Sequence, residues 1–342
     1  MLSNFNKLIV LACGVALAFS CSSNTDELEV GASNPEETAL ARIKENFIAN
    51  KYFYADWDFD MDVYTIKTDL YGYEVALDLT ECDFSEFTAS DEIKIPYCVY
   101  KDSEIIYSDS VIYDKMLYKQ GGGILLSFDD YFACWNTYLP YFTDYGIRAT
   151  FFCFGNYSRF GTFANKAQNA GLEIGYHTLG HLALTMVDSE EEFKEQAISP
   201  LPVFRDKYVY LDSFAFPNGL YLPYQVDMLL DYYKILRLFD NHFRLYSMEE
   251  IARQRVIFSQ SIDKNQFSDT KDFKNKIVKR IILAQITGEI YPCTTHYILT
   301  EDGEIESDAF TISKENLVWL FETINALNCK TYCYKDIYTY MY

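Results

Sequence analysis

The stretch Gly-Ile-Leu-Leu-Ser-Phe-Asp-Asp, residues 123–130, decides both the fold and the chemistry that the sequence predicts. Its apolar part, Gly123 to Phe128, is typical of a strand buried in a parallel sheet. The strand ends in two adjacent carboxylates, Asp129 and Asp130. The chain turns at a strand end, so both carboxylates can reach one pocket, where one can bind a metal ion and the other can act as a base. A solvated pair of acids in a turn is the common alternative.

Strand-like and helix-like segments alternate on the carboxyl side of this stretch. Strands are predicted at 123–128, 148–154, 173–177, 213–216, 234–239, 291–297 and 330–334, and helices at 135–145, 163–170, 189–208, 225–233, 271–285 and 313–327. Such alternation indicates an α/β fold with a parallel sheet or barrel. In a barrel, site residues are expected just past the carboxyl ends of the strands. Residues 36–118 instead predict a short helix followed by a small β-rich module without a catalytic constellation.

A second motif, His177-Thr178-Leu179-Gly180-His181, follows a predicted strand and contains two of the four histidines of the chain. On a helical turn, residues at i and i+4 share a face, so both imidazoles can bind one ion. With Asp130 they form a set of two histidines and one carboxylate, which leaves open positions for water and substrate. This set suits Zn²⁺, and Fe, Co or Ni also fit. Two ordinary surface or core histidines are the alternative.

These motifs, with two later ones, resemble in sequence order those of the polysaccharide deacetylase family, the NodB-homology carbohydrate esterases (carbohydrate esterase family 4). Residues 146–152 (Gly-Ile-Arg-Ala-Thr-Phe-Phe) resemble the second strand of the family. Residues 214–219 (Phe-Ala-Phe-Pro-Asn-Gly) resemble its third motif, and residues 294–297 (Thr-Thr-His-Tyr) contain its late histidine. The resemblance extends over residues 121–336.

The resemblance implies a distorted (β/α) barrel over residues 119–342 and a metal-dependent removal of acetyl groups from a glycan. It also implies a role for each residue that matches a motif. The implied roles are the general base for Asp129, metal ligands for Asp130, His177 and His181, the general acid for His296, and an oxyanion contact for the backbone N–H of Asn218.

Two departures from the family pattern stand out. The third motif of the family commonly has an arginine that orients the base, where this chain has Ala215. Arg237, which ends the segment Lys-Ile-Leu-Arg (234–237) within the predicted strand 234–239, is the candidate replacement. The alternative is that Arg237 is an ordinary exposed arginine. The fourth motif, an aspartate with a tryptophan that braces the acidic histidine, has no clear match. Asp240 and His242 lie in roughly that region, and His242 is expected to be a surface residue.

Fifty acidic residues against twenty-nine basic ones give a formal net charge of −21. Such a surface repels phosphate backbones, so we expect no nucleic acid partner. A neutral or cationic acetylated polymer would be tolerated. Hydrophobic residues make up 49% of the chain, which is enough to bury a full core.

The first 20 residues have the layout of a signal peptide, because a short segment ending in Lys7 precedes an apolar run. Ala18-Phe19-Ser20-Cys21 resembles a loose lipobox, which predicts lipidation of Cys21 and a flexible tether over residues 21–35. We therefore expect an exported lipoprotein anchored to a membrane, at the outer membrane or cell surface. Simple cleavage of a secretory peptide, or cleavage before Cys13, are the alternatives.

Seven cysteines remain after the signal segment and Cys21. Cys82 with Cys98, and Cys329 with Cys333, are candidate disulfides in an oxidising compartment, and buried free thiols are the alternative. The chain has no Cys-x-x-Cys motif, so no cysteine-built zinc site is expected.

Three functions fit these patterns. The leading hypothesis is a metal-dependent hydrolase that removes acetyl groups, N-acetyl rather than O-acetyl, from a glycan. The second is a non-catalytic glycan-binding surface lipoprotein that retains the fold. The third is metal-dependent amide hydrolysis on peptidoglycan or a non-sugar substrate.

Overall fold

The computed structural model describes residues 34–46, 64–113, 122–299 and 310–341, so the signal segment, Cys21 and most of the tether lie outside the described residues. A helix and an antiparallel sheet come first. They are α1 (Pro35–Asn46), β1 (Thr65–Leu70), β2 (Tyr73–Asp78), β3 (Lys94–Lys101) and β4 (Glu104–Ile112). The strands pair in the order β1-β2-β3-β4. The predicted β-rich module is therefore present, whereas its boundaries at residues 36 and 118 stay predictions.

Seven parallel strands then form a barrel that closes through pairing of the last strand with the first. They are β5 (Gly123–Asp130), β6 (Thr150–Cys153), β7 (Glu173–Tyr176), β8 (Leu211–Ala215), β9 (Ile235–Asp240), β10 (Val256–Ser261) and β11 (Ile290–Thr295). Nearly every residue of these strands is buried, as expected where both faces of a parallel sheet are covered. The predicted distorted (β/α) barrel is confirmed.

Helices connect the strands and cover the barrel. They are α2 (Trp135–Asp144), α3 (Tyr157–Asn169), α4 (Glu190–Ala197), α5 (Leu201–Arg205), α6 (Pro223–Leu229), α7 (Met248–Gln254), α8 (Thr270–Thr287), α9 (Lys314–Ala326) and α10 (Tyr334–Met341). Three short strands complete the described chain: β12 (Tyr297–Leu299), β13 (Thr311–Ser313) and β14 (Lys330–Tyr332). The single helix predicted at 189–208 is divided into α4 and α5, because Pro200 and Pro202 lack the N–H that a continuous helix needs.

Helix α8 lies between the N-terminal sheet and the barrel. Its Asn275 accepts a hydrogen bond from the backbone of Phe84 at 2.8 Å, and Lys279 donates to the carbonyl of Thr80 at 2.8 Å. The hydroxyl of Tyr113 donates to Gln285 at 2.6 Å. With both faces covered, α8 buries even Lys279 and Arg280. None of the helices in the described ranges has the length and apolarity that a membrane span requires.

Strand β14 enters the barrel wall beside β5. At its start β5 pairs with β14, with Gly123 opposite Lys330, and it pairs with β6 only from Ser127 onward. The amino end of the barrel is thus open between β5 and β6, and residues 330–341 fill the opening. The strand predicted at 330–334 was two residues too long, because α10 begins at Tyr334.

Candidate active site and metal centre

A cleft of about 440 Å³ lies at the carboxyl ends of the barrel strands. All seven residues predicted for the reaction line it, and they come from five separate segments. They are Asp129, Asp130, His177, His181, Asn218, Arg237 and His296. The structure therefore brings the predicted site residues together, while their chemical roles stay predictions.

The adjacent carboxylates of β5 reach the same cleft because the backbone reverses at the strand end. Asp130 has a φ of 88° and Tyr131 a φ of 77°, both in the left-handed region that side-chain-bearing residues rarely adopt. Thr178, His181 and Asn218 share this feature, with φ values of 70°, 56° and 58°. Unfavourable backbone conformations of this kind concentrate at functional sites, where the surrounding structure holds them in place.

Asp130, His177 and His181 converge on one point. Oδ1 of Asp130 lies 3.4 Å from Nε2 of His177 and 2.9 Å from Nε2 of His181. The predicted helical turn between the two histidines is wrong, because the positive φ of Thr178 and His181 makes residues 177–181 an irregular loop. The loop still places both imidazoles beside one carboxylate.

The tautomer of His177 is set by the backbone. Its Nδ1 lies 2.8 Å from the carbonyl oxygen of Ala215, which can only accept a hydrogen bond, so Nδ1 carries the proton. Nε2 is then left with a lone pair directed at the cleft. The main chain of β8 thus fixes the tautomer of His177.

The three side chains fit a divalent cation. Their ligand atoms all lie within 4.8 Å of one another. Two ligands about 2.0 Å from a tetrahedral zinc ion would be separated by about 3.3 Å, close to the distances found. The buried Oδ1 of Asp130 also meets no donor in hydrogen-bonding geometry among the described residues. A cation would satisfy this oxygen and both imidazole lone pairs together.

Electrostatics within this cluster are strongly coupled. Burial pulls the pKa of Asp130 upward, but the imidazoles of His177 and His181 outweigh burial and lower it. Proximity to Asp130 in turn raises the pKa of His181. Asp130 is therefore an anion at neutral pH, which is the form that binds a metal.

Asp129 lies beside the cluster, and its hydrogen bonds go to residues outside it. Its Oδ2 accepts a hydrogen bond from the guanidinium of Arg237, and its Oδ1 accepts one from Thr294 at 3.4 Å. Nε2 of His296 lies 3.9 Å from Oδ2. The carboxylate is thus held in place while it faces the cleft.

Arg237 lies on the strand beside that of Ala215 and contacts Asp129, the contact that its predicted role requires. Arg237 is only 1% exposed, so the alternative of an ordinary exposed arginine is wrong. Ala215 opposes Arg237 in the register between β8 and β9. The guanidinium carbon also lies 5.1 Å from the centre of the Phe152 ring, a cation–π distance.

His296 is braced by Asp263, a residue that the sequence analysis did not identify. Nδ1 of His296 lies 2.8 Å from Oδ2 of Asp263, and the His296 backbone N–H donates to Oδ1 at 3.2 Å. The hydroxyls of Ser261 and Thr295 also donate to this fully buried carboxylate, at 2.7 and 2.6 Å. The indole N–H of Trp135 donates a hydrogen bond to the carbonyl of His296 at 3.0 Å. His296 therefore contacts both an aspartate and a tryptophan, the two residue types of the fourth motif.

The aspartate of this brace raises the proton affinity of His296. Burial lowers the pKa of the imidazole, but the hydrogen bond to Asp263 and the charges of Asp263, Asp129 and Asp130 outweigh burial and raise the pKa to about 9. His296 therefore carries a proton at neutral pH, as a general acid must. Its Nε2–H points toward the cleft, because Nδ1 is engaged with Asp263.

Asp240 and His242, which lie in the region expected for the fourth motif, do not brace His296. Asp240 contacts Nδ1 of His242 at 2.7 Å and accepts a hydrogen bond from Arg244. The side chain of His242 is 40% exposed, as expected for a surface residue. Asp263 was missed because β10, the strand that precedes it, was not predicted.

Asn218 lies in a tight turn of residues 217–219 at the edge of the cleft. Among the described residues, no carbonyl or side chain accepts a hydrogen bond from its backbone N–H. The turn needs a glycine at 219, where φ is +66° and a Cβ would lie 2.8 Å from the Cβ of Phe239. The structure thus places Asn218 at the cleft, and the oxyanion contact of its backbone N–H stays a prediction.

Residues 119–229 match the family model described as polysaccharide deacetylase. The resemblance predicted from the motifs is thus confirmed, because residues 119–229 form a polysaccharide deacetylase domain. The family match also confirms the predicted enzyme class, a hydrolase of the polysaccharide deacetylase type. Among the curated proteins, none matches this chain.

Several solved structures are similar to this chain. The Bc1960 peptidoglycan N-acetylglucosamine deacetylase is 18% identical, with a TM-score of 0.43 over 65% of this chain and 90% of that one. The Xyl-CE4 domain of a xylanase from the hindgut metagenome of Trinervitermes trinervoides is 15% identical, with a TM-score of 0.43 over 65% and 92% of the two chains. An acetyl xylan esterase from Clostridium thermocellum, in complex with a cobalt ion, is 16% identical, with a TM-score of 0.40 over 64% and 90%.

Proposed function

We propose that this protein is a metal-dependent hydrolase that removes acetyl groups, N-acetyl in preference to O-acetyl, from an extracellular polysaccharide. The observation that carries the proposal is the position of Asp129. It lies beside the Asp130, His177 and His181 cluster, with His296 on its other side at 3.9 Å. A purely structural metal site has no need for a separate, oriented carboxylate or for a braced histidine facing it.

Asp129 acts as the base in this proposal. The hydrogen bonds from Arg237 and Thr294 fix its orientation, so that one carboxylate oxygen can accept a proton from a water in the cleft. A divalent cation on the three ligands would polarise the acetyl carbonyl and make that water more acidic. The backbone N–H of Asn218 would donate a hydrogen bond to the oxygen that gains negative charge.

His296 acts as the acid. Its Nε2–H donates a proton to the nitrogen or oxygen of the sugar as the bond to the acetyl carbon breaks. Asp263 stabilises the imidazolium before this step and keeps the Nδ1 proton in place afterwards. The amine of an aminosugar must be protonated before it can leave, so an imidazolium with a raised pKa favours N-acetyl substrates.

The proposed cation is Zn²⁺, because two imidazoles and one carboxylate are ligands that zinc prefers in open catalytic sites. Fe, Co and Ni accept the same ligands. The proposed partner is an acetylated glycan. We also propose export and anchoring through lipidated Cys21, on the basis of the layout of residues 1–35 alone.

The test is acetate release from a panel of acetylated glycans by the purified protein, before and after chelation and after addition of Zn²⁺. We expect acetate to be released only when metal is bound. Asp129→Asn is expected to lower the rate by roughly 10²- to 10⁴-fold while the protein still binds one equivalent of metal, because Asp129 is not a ligand. His242→Ala, a change at a surface histidine, should leave the rate unchanged. Equal acetate release by Asp129→Asn and wild type would disprove the assignment of the base.

A further inference from the structure

An exposed apolar segment leads directly away from the cleft. Residues 220–224, Leu-Tyr-Leu-Pro-Tyr, immediately follow the turn of Asn218 and Gly219 that lines the site. Leu220 is 50% exposed, Tyr221 37%, Leu222 39% and Tyr224 53%. Large apolar side chains that are exposed singly are common, whereas a run of them beside a cleft indicates a binding surface. We call residues 220–224 the apolar ridge.

The ridge is continuous with the wall of the cleft. Phe216 lines the cleft, and its ring centre lies 5.8 Å from that of Tyr221. Phe216 is itself fully buried, so it holds the partly exposed Tyr221 beside the cleft wall. Leu220 and Leu222 have extended backbone and helix α6 begins at Pro223, so the ridge spans at most about 13 Å, which is long enough for more than one sugar ring.

Specific hydrogen bonds hold the ridge in its exposed position. The buried side chain of Gln225 accepts a hydrogen bond from the backbone N–H of Leu222 at 2.9 Å. The amide of the same side chain donates to the carbonyl of Leu184 at 2.8 Å. Pro223 further limits the conformations of the segment. A preformed surface costs less ordering on binding than a flexible loop, which is what a binding surface needs.

The chemistry of the ridge fits a glycan chain. The five residues carry no charge, and two of them are tyrosines, which combine an apolar ring face with a hydroxyl. A sugar ring has the complementary character, with apolar C–H faces and hydroxyl groups at its rim. The net charge of −21 disfavours an anionic lipid surface as the occupant.

We propose that the apolar ridge binds the sugar units of the polysaccharide that adjoin the acetylated unit in the cleft, with Tyr221 and Tyr224 stacked on their ring faces. The substrate is then a polymer or long oligomer without charged groups along this stretch. The inference rests on the proposed function, because it assumes that the acetylated unit occupies the cleft.

The test compares a soluble acetylated polysaccharide with a small acetyl ester, p-nitrophenyl acetate, as substrates of the same variants. We expect the double variant Tyr221→Ser and Tyr224→Ser to lose about tenfold in kcat/KM on the polymer, mainly through KM, with no change on the small ester. The double variant Tyr221→Phe and Tyr224→Phe, which keeps both ring faces, should retain most of the activity on the polymer. Unchanged kinetics of the serine variant on the polymer, or an equal loss on both substrates, would overturn the proposal.

The fold supplies a matched control at the other end of β8. Tyr208 and Tyr210 precede this strand and are 78% and 53% exposed, whereas the ridge follows its carboxyl end. The double variant Tyr208→Ser and Tyr210→Ser removes the same groups far from the cleft and should leave both substrates unaffected. A loss on the polymer equal to that of the ridge variant would assign the effect to exposed tyrosines in general and reject the ridge.

A binding measurement separates failure of the ridge from failure of the proposed function. In an Asp129→Asn background, affinity electrophoresis through gels that contain the acetylated polysaccharide reports binding without turnover. We expect retardation that the ridge serine variant weakens and the control variant does not. Retardation without acetate release from wild type would contradict the proposed function alone. Loss of binding to anionic lipid vesicles rather than to polysaccharide on ridge substitution would contradict the ridge proposal alone.

Discussion

Asp263 shows how a single residue can complete the predicted site. Its carboxylate accepts hydrogen bonds from two hydroxyls and from the backbone N–H of His296, and it contacts Nδ1 of the same residue. Since it is fully buried, its charge acts on the imidazole through protein rather than through water. We infer that Asp263 is a positioning residue, which sets both the orientation and the pKa of His296.

Asp263→Asn is therefore expected to lower kcat by roughly 10²- to 10⁴-fold and to change its pH dependence. His296 acts in its protonated form, so wild-type activity should fall as pH rises through about 9, the raised pKa of His296. Removal of the Asp263 charge lowers this pKa, so the alkaline limb should move to lower pH. A pH–rate profile of both proteins measures the shift.

Asp240→Asn is the control for this prediction, because Asp240 is paired with Arg244 and His242 instead of His296. It should keep the wild-type rate and pH profile. An unshifted alkaline limb in Asp263→Asn would show that Asp263 does not set the pKa of His296.

At the scale of elements, the packing of strand β7 against β6 requires a glycine at position 175. A Cβ on Gly175 would lie 2.3 Å from the ring of Phe152, and no L residue tolerates such an approach. Phe152 in turn packs against the guanidinium of Arg237, which orients Asp129. Gly175 therefore links the spacing of β6 and β7 to the position of the base.

Gly175→Ala is expected to destabilise the fold by about 1–3 kcal/mol, because Phe152 must move within a packed barrel. It should also lower kcat more than it changes KM, because the displaced Phe152 disturbs Arg237 and hence the base. Urea unfolding and steady-state kinetics measure the two effects. Gly180→Ala is a milder control, because a Cβ there approaches only the flexible side chain of Gln196, at 3.2 Å. Wild-type stability of Gly175→Ala would refute the packing argument.

Most of the barrel strands could be predicted from the sequence, because strands that are buried on both faces are rich in apolar and aromatic residues. Strands β5, β7 and β9 contain or directly precede Asp129, His177 and Arg237. Strand β10 was not predicted because Val-Ile-Phe-Ser-Gln-Ser ends in three polar residues, although the structure buries all three. Asp263 follows β10 directly and was not predicted for the same reason, although Ser-Ile-Asp at a strand end resembles the placement of Asp129.

The sequence predicted which residues form the site better than it predicted the contacts between them. The motifs predicted the metal ligands, but the tautomer of His177 depends on a backbone carbonyl in another strand. The contact of Arg237 with Asp129 joins two strands that lie far apart in the sequence. Neither relation has a local signal in the sequence.

On the scale of the whole molecule, the seven described cysteines are free thiols. The candidate pairs Cys82 with Cys98, and Cys329 with Cys333, do not form disulfides. The interior also contains a buried acid, Glu173, which accepts hydrogen bonds from Ser213 at 2.8 Å, Thr150 at 3.0 Å and the backbone of Lys335 at 2.8 Å. Glu173 thus connects three barrel strands to helix α10.

Glu173 makes the stability of the fold depend on pH. Burial raises its pKa to about 7, although its hydrogen bonds oppose the shift. The unfolded chain ionises at an ordinary, lower pKa, so between the two values the folded state binds more protons and stability falls as pH rises. This contribution reaches about 3 kcal/mol at pH values above 7.

Glu173→Gln cannot ionise, so its free energy of unfolding is expected to fall less steeply than that of wild type between pH 4.5 and pH 7. Urea unfolding at several pH values across this range measures the difference in slope. Parallel curves for the two proteins would show that Glu173 does not ionise differently in the folded and unfolded chains.

The insertion of β14 beside β5 has a consequence for the order of events during synthesis. Gly123 and Lys330 are neighbours in the wall, yet the ribosome joins some two hundred residues between them. The amino end of the barrel, between β5 and β6, cannot close until residues 330–341 have been synthesised. The barrel strands made earlier therefore remain incompletely paired until then. Contacts between such distant residues also slow folding, because a long loop has to close before they form.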